Sequence, residues 1–326
     1  MNMEEIVALS VKHNVSDLHL CNAWPARWRI RGKVEIAPFT PPDVENLLMC
    51  WLSEQQQVQW RKQGQIDFAI ALADSRRLRA SAFVHQQGTS LALRLLPLDC
   101  PRLDDLQTPE AIPELLHSEH GLILVTGATG SGKSTTLAAM VEYLNQHIAG
   151  HILTLEDPIE YRYTSQRCLI QQREVGVHCA SFAAGLRGAL REDPDVILLG
   201  ELRDVETIRL ALTAAETGHL VLATLHTRGA AQAIARLVDT FPAQEKDPVR
   251  NQLADSLRAV LSQKLEEDKL GGRVALFELL VNTPAVGNLI REGKTHQLPG
   301  VIQTGQQTGM QTFAQSLQQR QAQGRL

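Results

Sequence analysis

Two rhythms of apolar and polar positions run along this chain, and the change between them falls near residue 97. In SDLHL, Leu18 and Leu20 alternate with Asp17 and His19, the period-two pattern of a half-buried strand. A short helical pattern, MEEIVALSVKHN, precedes it, and RWRIRGKVEI reads as two short strands about a glycine turn. PDVENLLMCWLSEQQQVQWRK carries apolar residues at helical spacing behind a Pro-Pro-Asp start signal. QIDFAIAL, RLRASAFVHQ and TSLALRLLP follow as strand-like stretches. Together they predict a small α+β domain over residues 1–97, with helices packed on an antiparallel sheet.

The second rhythm is different. Short continuous apolar runs (LILVT, HILTL, VILLG, LVLATLH) alternate with helical segments such as TTLAAMVEYLNQ, SFAAGLRGALRE and DVETIRLALTAAETG. Strands buried on both faces and separated by helices predict a mostly parallel sheet covered on both sides, over 113–326. Between the blocks, PLDCPRLDDLQTPEAIP holds four prolines and four acidic residues, so a linker is expected at 98–112. The glutamine-rich TFAQSLQQRQAQ reads as a terminal helix ending near Gly324. Gly185 and Gly188 lie inside one helical segment, where close packing is the only evident reason for them.

The parallel sheet opens on a loop whose chemistry is specific. Gly127-Ala128-Thr129-Gly130-Ser131-Gly132-Lys133-Ser134 fits G-x-x-x-x-G-K-[ST], with a strand before it and a helix, beginning with Thr135, after it. Its glycines let backbone amides approach phosphate oxygens. Lys133 can reach the β- and γ-phosphates, and the Ser134 hydroxyl can ligate Mg²⁺. Later strands also end in polar residues, where an open parallel sheet presents its ligand site. Glu156, Asp157 and Glu160 follow HILTL, Glu201 follows VILLG, and His226 ends LVLATLH. Two tasks suit the carboxylates: supporting Mg²⁺, directly or through water, and activating the attacking water. Taken singly, each acid reads equally well as a solvated loop residue or helix cap.

These residues carry a resemblance to the secretion ATPases of type II secretion and type IV pili, within which the chain looks most similar to the pilus-retraction (twitching-motility) ATPases. SDLHL, RLRASAF, LALRLLP, GATGSGKSTT, LTLEDPIEY, QREVG, LREDPDVILLGELRD, AAETGHLVLATLHT, GRVALFELL, LIREGK and GMQTFAQSL occur in family order. The resemblance implies a RecA-like P-loop NTPase domain with a helical C-terminal part, behind a small PAS-like α+β domain. It also implies roles. Gly127 to Ser134 would form the Walker A loop, and Glu160 in the acidic box would activate water. Glu201 would be the Walker B glutamate, and His219 and His226 the "His box". Arg79 and Arg94 would close over the phosphates, although by chemistry alone they read equally as cross-strand surface charges. The expected assembly is a cytoplasmic homo-hexamer at the inner face of a bacterial inner membrane, acting on a membrane-embedded platform protein with ATP and Mg²⁺. The zinc-binding cysteine insert of the extension and secretion ATPases has no counterpart in LSQKLEEDKLGGRVALFE, so no zinc is expected. One departure stands out: Gly287 occupies a position in AVGNLIREGK where retraction enzymes usually carry a basic residue.

Composition narrows the alternatives. A formal net charge of −4, and the lack of interleaved basic and aromatic patches, speak against a nucleic-acid motor on the same core, and no direct nucleic-acid partner is expected. The five cysteines form no CxxC pair. No apolar run approaches the roughly 18 residues of a membrane span, and MNMEEIVALS lacks the pattern of a signal peptide. A nucleotide-gated regulatory module with little turnover remains the alternative to a motor, kept open by Gly287.

Overall fold

The computed structural model describes residues 1–30, 32–73, 76–97 and 99–326. Arg31, beside the glycine turn read in RWRIRGKVEI, and Leu98, first in the expected linker, lie outside the described residues. The chain folds as two compact units, Met1–Asp99 and Cys100–Leu326.

The first unit runs α1 (Met3–Lys12), β1 (Val15–Cys21), β2 (Arg27–Ile30), β3 (Lys33–Ile36), α2 (Val44–Trp51), α3 (Glu54–Gln63), β4 (Gln65–Ala71), β5 (Arg77–His85) and β6 (Gly88–Leu95). Its six strands pair antiparallel throughout in the order β3-β2-β1-β6-β5-β4. Leu18, Leu20, Leu78, Leu91 and Leu93 from the sheet meet Ile6 and Leu48 from the helices in one core. The helical stretch after Pro42 is two helices rather than one. Leu52 turns extended, and Ser53 restarts the helix through a reciprocal cap with Gln56.

The second unit begins with two short helices, α4 (Leu103–Leu106) and α5 (Ile112–Leu116). It continues with β7 (Gly121–Thr126), α6 (Lys133–His147), β8 (His151–Glu156), β9 (Leu169–Glu174), α7 (Phe182–Ala189), β10 (Val196–Leu199), α8 (Val205–Glu216), β11 (Leu220–Leu225) and α9 (Ala230–Asp239). It ends with α10 (Lys246–Ser256), β12 (Leu257–Glu267), β13 (Arg273–Val281), α11 (Pro284–Arg291), α12 (Leu298–Thr304) and α13 (Phe313–Ala322). The seven strands lie in the order β13-β12-β7-β11-β10-β8-β9, all parallel except the β12–β13 pair. The sheet is buried on both faces: Leu122 and Leu124 of β7 join one apolar layer, Ile123 and Val125 the other. Fully buried β7, β10 and β11 therefore form the centre, while β9, with the polar sequence LIQQRE, forms an edge.

Residues 100–112, expected within a linker, belong to the second unit. Their proline and acidic content excludes a long helix, but four-residue α4 buries Leu103 in the core. Buried Arg320 of α13 donates to the Gln107 carbonyl at 2.7 Å, so the terminal helix holds this stretch down.

Packing separates the helix glycines. A Cβ on Gly185 would come to 2.8 Å from Cδ2 of Leu155, a core residue of β8, and 3.1 Å from Cys179 Sγ. On Gly188 it would meet only the flexible ends of Glu192 and Arg173, at 3.2 and 3.4 Å. On Gly287 in α11 nothing lies nearer than 3.6 Å. Gly185→Ala is expected to destabilise the protein by about 1–3 kcal/mol through overpacking. Gly287→Ala should stabilise it by roughly 0.5–1 kcal/mol through helix propensity. Denaturant unfolding checks both signs; a stabilising Gly185→Ala would contradict the packing account.

Candidate functional site

Parallel strands β7, β8, β10 and β11 all deliver their C-terminal ends to one side of the sheet, so the loops that follow them converge. After β7 the chain turns through Gly127–Gly132 and enters α6 at Lys133. Ala128, Thr129, Gly130 and Ser134 are exposed, whereas Lys133 is only 8% exposed. The amides of Thr129, Gly130, Gly132, Lys133 and Ser134 donate to no acceptor among the described residues. A row of unpaired amides at the start of a fifteen-residue helix is a binding site for an anion with several oxygens.

The three protons of the Lys133 ammonium match three acceptors. Nζ donates to the carbonyls of Gly127 at 2.9 Å and Ala128 at 3.0 Å, and lies 3.4 Å from His226 Nδ1. The other ring nitrogen of His226, Nε2, is 3.0 Å from Glu201 Oε1. A lysine can only donate and a carboxylate can only accept, so the network assigns the proton to Nε2 and leaves Nδ1 as acceptor. Arg203 grips the second Glu201 oxygen, with Nη2 at 2.6 Å and Nε at 2.7 Å. A continuous polar chain therefore runs Lys133–His226–Glu201–Arg203 across the ends of β7, β11 and β10. Burial pulls Lys133 below its ordinary pKa, and the charges of Glu201 and Glu160 offset only part of this. Burial pushes Glu201 up, but bonds from Arg203 and His226 outweigh it and hold the carboxyl below its ordinary value.

The β8 end carries a second arrangement. Glu156, 9% exposed, accepts from Thr154 Oγ1 at 2.6 Å and Gln172 Nε2 at 3.1 Å, and also from the backbone amide of Glu160. Its carboxylate, expected beside Mg²⁺, is thus engaged by protein donors that fix the Glu160 turn. Burial raises its pKa despite these bonds. Asp157 is exposed, and Glu160 lies close enough to Lys133 to act on its charge. Tyr161 donates to Thr135 Oγ1 at 3.1 Å, tying the same turn to α6.

His219 precedes β11 at its opposite end, bonded through Nδ1 to the Ala214 carbonyl at 3.1 Å, so this chain does not bring it to Lys133 or His226. Arg79 and Arg94 are in the first unit, directly opposite one another on β5 and β6. Like charges in that register repel; Asp17 of β1, paired with Arg94 at 2.8 Å, offsets the repulsion. Arg203 lies within GELRD, where nothing in the sequence marks it for a role; only the folded loop shows it braced on Glu201.

Among the described residues, no group of three or more His, Cys, Asp or Glu gathers into a metal cage. The exposed Ser134 hydroxyl with one or two carboxylates suits Mg²⁺ instead, an ion that keeps most of its water.

Loop, lysine and strand-end carboxylates define a P-loop nucleotide-binding α/β protein. The family described as Type II/IV secretion system protein matches residues 52–326, and the chain belongs to that family. It is 77% identical to YggR of Escherichia coli (strain K12) over the whole of both chains. It is 46% identical to the type IV pilus retraction ATPase PilT of Pseudomonas aeruginosa, covering 96% of this chain and 92% of that one. It is 48% identical to a twitching motility protein of Neisseria gonorrhoeae, over 89% of this chain and 79% of that one. Among solved structures, the pilus retraction motor PilT with bound ADP superposes with a TM-score of 0.91 at 42% identity, over 100% of this chain and 94% of that one. The Legionella pneumophila ATPase DotB gives a TM-score of 0.84 at 29% identity, over 99% and 92%.

Glu156 generates a pH prediction. Its folded pKa lies above its ordinary 4.5, so its contribution to stability is fully present below about that pH and is lost as pH rises through the folded value. Unfolding free energies of the wild type, referenced to Glu156→Gln, are expected to fall as pH rises above 4.5. A difference that rises over this range would contradict the burial account.

Proposed function

We propose that this chain hydrolyses ATP and converts the energy into mechanical work on a pilus or pseudopilus, of the retraction kind. The observation that carries the proposal is the Lys133–His226–Glu201 chain, which joins the phosphate loop to two other strand ends. The kinship with PilT, seen elsewhere with ADP bound, supports it.

The roles follow from the chemistry. Backbone amides of Thr129, Gly130, Gly132, Lys133 and Ser134 and the Lys133 ammonium hold the phosphates. Water attacks the γ-phosphorus, the bond to the β,γ-bridging oxygen breaks, and ADP leaves with that oxygen. Glu160 takes the water proton. Mg²⁺, held by Ser134 and through water by Glu201 with Asp157 near, would neutralise charge on the phosphates. Glu156, through its bond with the Glu160 amide, fixes the Glu160 turn. A phosphate that engages Lys133 competes with His226, so nucleotide state reaches the loop between β11 and α9. In a homo-hexamer such changes would displace a membrane-embedded platform protein from the cytoplasmic side. No helix among the described residues is long and apolar enough to cross a membrane, so the platform would supply the membrane contact.

Hydrolysis per chain is expected to rise with protein concentration as rings assemble. Lys133→Ala should lose nucleotide binding. Glu160→Gln should keep it and lose at least about 100-fold in turnover, the scale of general-base catalysis. Turnover surviving in Glu160→Gln would remove Glu160 from its role. Nucleotide binding with blank-level turnover at every concentration would favour the regulatory module over the motor.

A further inference from the structure

Strand β12 lies beside β7, and its Ser262 shares a buried hydroxyl hydrogen bond of 2.9 Å with Thr126, the last residue before the phosphate loop. The next residue, Gln263, is 5% exposed and bonds through both ends of its side-chain amide, one to the loop and one to the first turn of α6. Its Nε2 donates to the Ser131 carbonyl at 2.7 Å, and its Oε1 accepts from Thr136 Oγ1 at 2.7 Å. Its carbonyl and its side chain both fit the loop closely. A Cβ on Gly127 would come to 2.4 Å from the Gln263 carbonyl oxygen, and one on Gly132 to 2.8 Å from Gln263 Nε2. Gln263 therefore meets the start of the loop, its last turn and the first turn of α6.

The Ser131 contact has a directional consequence. The Ser131 carbonyl and the Gly132 amide belong to one planar trans peptide, in which C=O and N–H point opposite ways. Pinning the carbonyl towards β12 aims the Gly132 N–H away from β12, among the unpaired amides of the loop. Gly132 is left-handed at φ +89°, where little else restrains the peptide. A glutamine suits the task because one end donates to a carbonyl while the other accepts from a hydroxyl. Methionine would keep the length and lose both bonds.

We propose that Gln263 is a positioning residue for polyphosphate binding: it holds the Ser131–Gly132 peptide so that the Gly132 amide meets the nucleotide's phosphate. The inference rests on the reading that the loop binds nucleotide, and it predicts a selective effect. ADP presents its β-phosphate to the loop; AMP has none.

Calorimetric affinities for ADP and AMP in wild type, Gln263→Met, Thr136→Val and Lys133→Ala test it. Gln263→Met is expected to weaken ADP about tenfold, the scale of one or two hydrogen bonds, and to leave AMP within about twofold. Thr136→Val, which frees one end of the amide, should weaken ADP about threefold. A Gln263→Met protein that binds ADP like wild type, or loses ADP and AMP equally, overturns the inference. If that variant does not fold, unchanged ADP affinity in Thr136→Val overturns it. Wild type binding ADP no more tightly than Lys133→Ala would instead bring down the nucleotide reading itself, and this inference with it.

Discussion

The ammonium of Lys133 is the charge around which the strand ends are arranged. It is nearly buried, and a buried cation must be fully hydrogen-bonded. Two of its partners are loop carbonyls and the third is His226, which leans on Glu201. The second unit of the fold can be understood as the frame that makes this possible. β7 delivers the loop, β11 the histidine and β10 the glutamate, and their parallel pairing puts all three at the same edge. The desolvation that lowers the Lys133 pKa also makes the site favourable for an anion, since an incoming phosphate restores the charge partners that burial took away.

Rigidity around this charge comes from two directions. On one side Glu156 gathers Thr154, Gln172 and the Glu160 amide, and Tyr161 ties the same turn to Thr135. On the other, β12 lies against the loop through Ser262 and Gln263. The loop that carries His226 is anchored where Glu278 of β13 accepts from the Ala230 amide at 2.9 Å, at the start of α9. Phosphate loop and histidine loop are thus both held by the β12–β13 hairpin, while the Lys133–His226 contact between them is the longest of the lysine's three. A contact of that kind can yield to a phosphate while its supports stay in place.

Much of this was legible in the sequence, for definite reasons. Continuous apolar runs announced β7, β8, β10 and β11 because strands covered on both faces need no polar alternation. The loop from Gly127 to Ser134 was legible because its residues are consecutive. LIQQRE and the β12–β13 hairpin carry no clear strand pattern: the first is a polar edge, and β12 runs from an apolar start into the charged KLEE. The break between α2 and α3 falls in the polar run SEQQQ, where Ser53 and Gln56 form a local capping box; the helical spacing on either side conceals that Leu52 turns extended. Gln263 left no local signal at all. Its partner Ser131 lies 132 residues earlier, and only the pairing of β12 with β7 brings them together. His219 and His226 looked like one box in the sequence, but six strand residues separate them and only His226 reaches the phosphate loop.

The central claim is that a bound phosphate and His226 compete for the same lysine. The most direct test is the ADP affinity of His226→Ala beside its ATP turnover. Removing the competitor should leave ADP binding as tight as in wild type, or tighter, while turnover falls about tenfold or more because the link to Glu201 is gone. A loss of ADP affinity comparable with that of Lys133→Ala would mean that His226 holds the nucleotide directly, and the account of competition would be wrong.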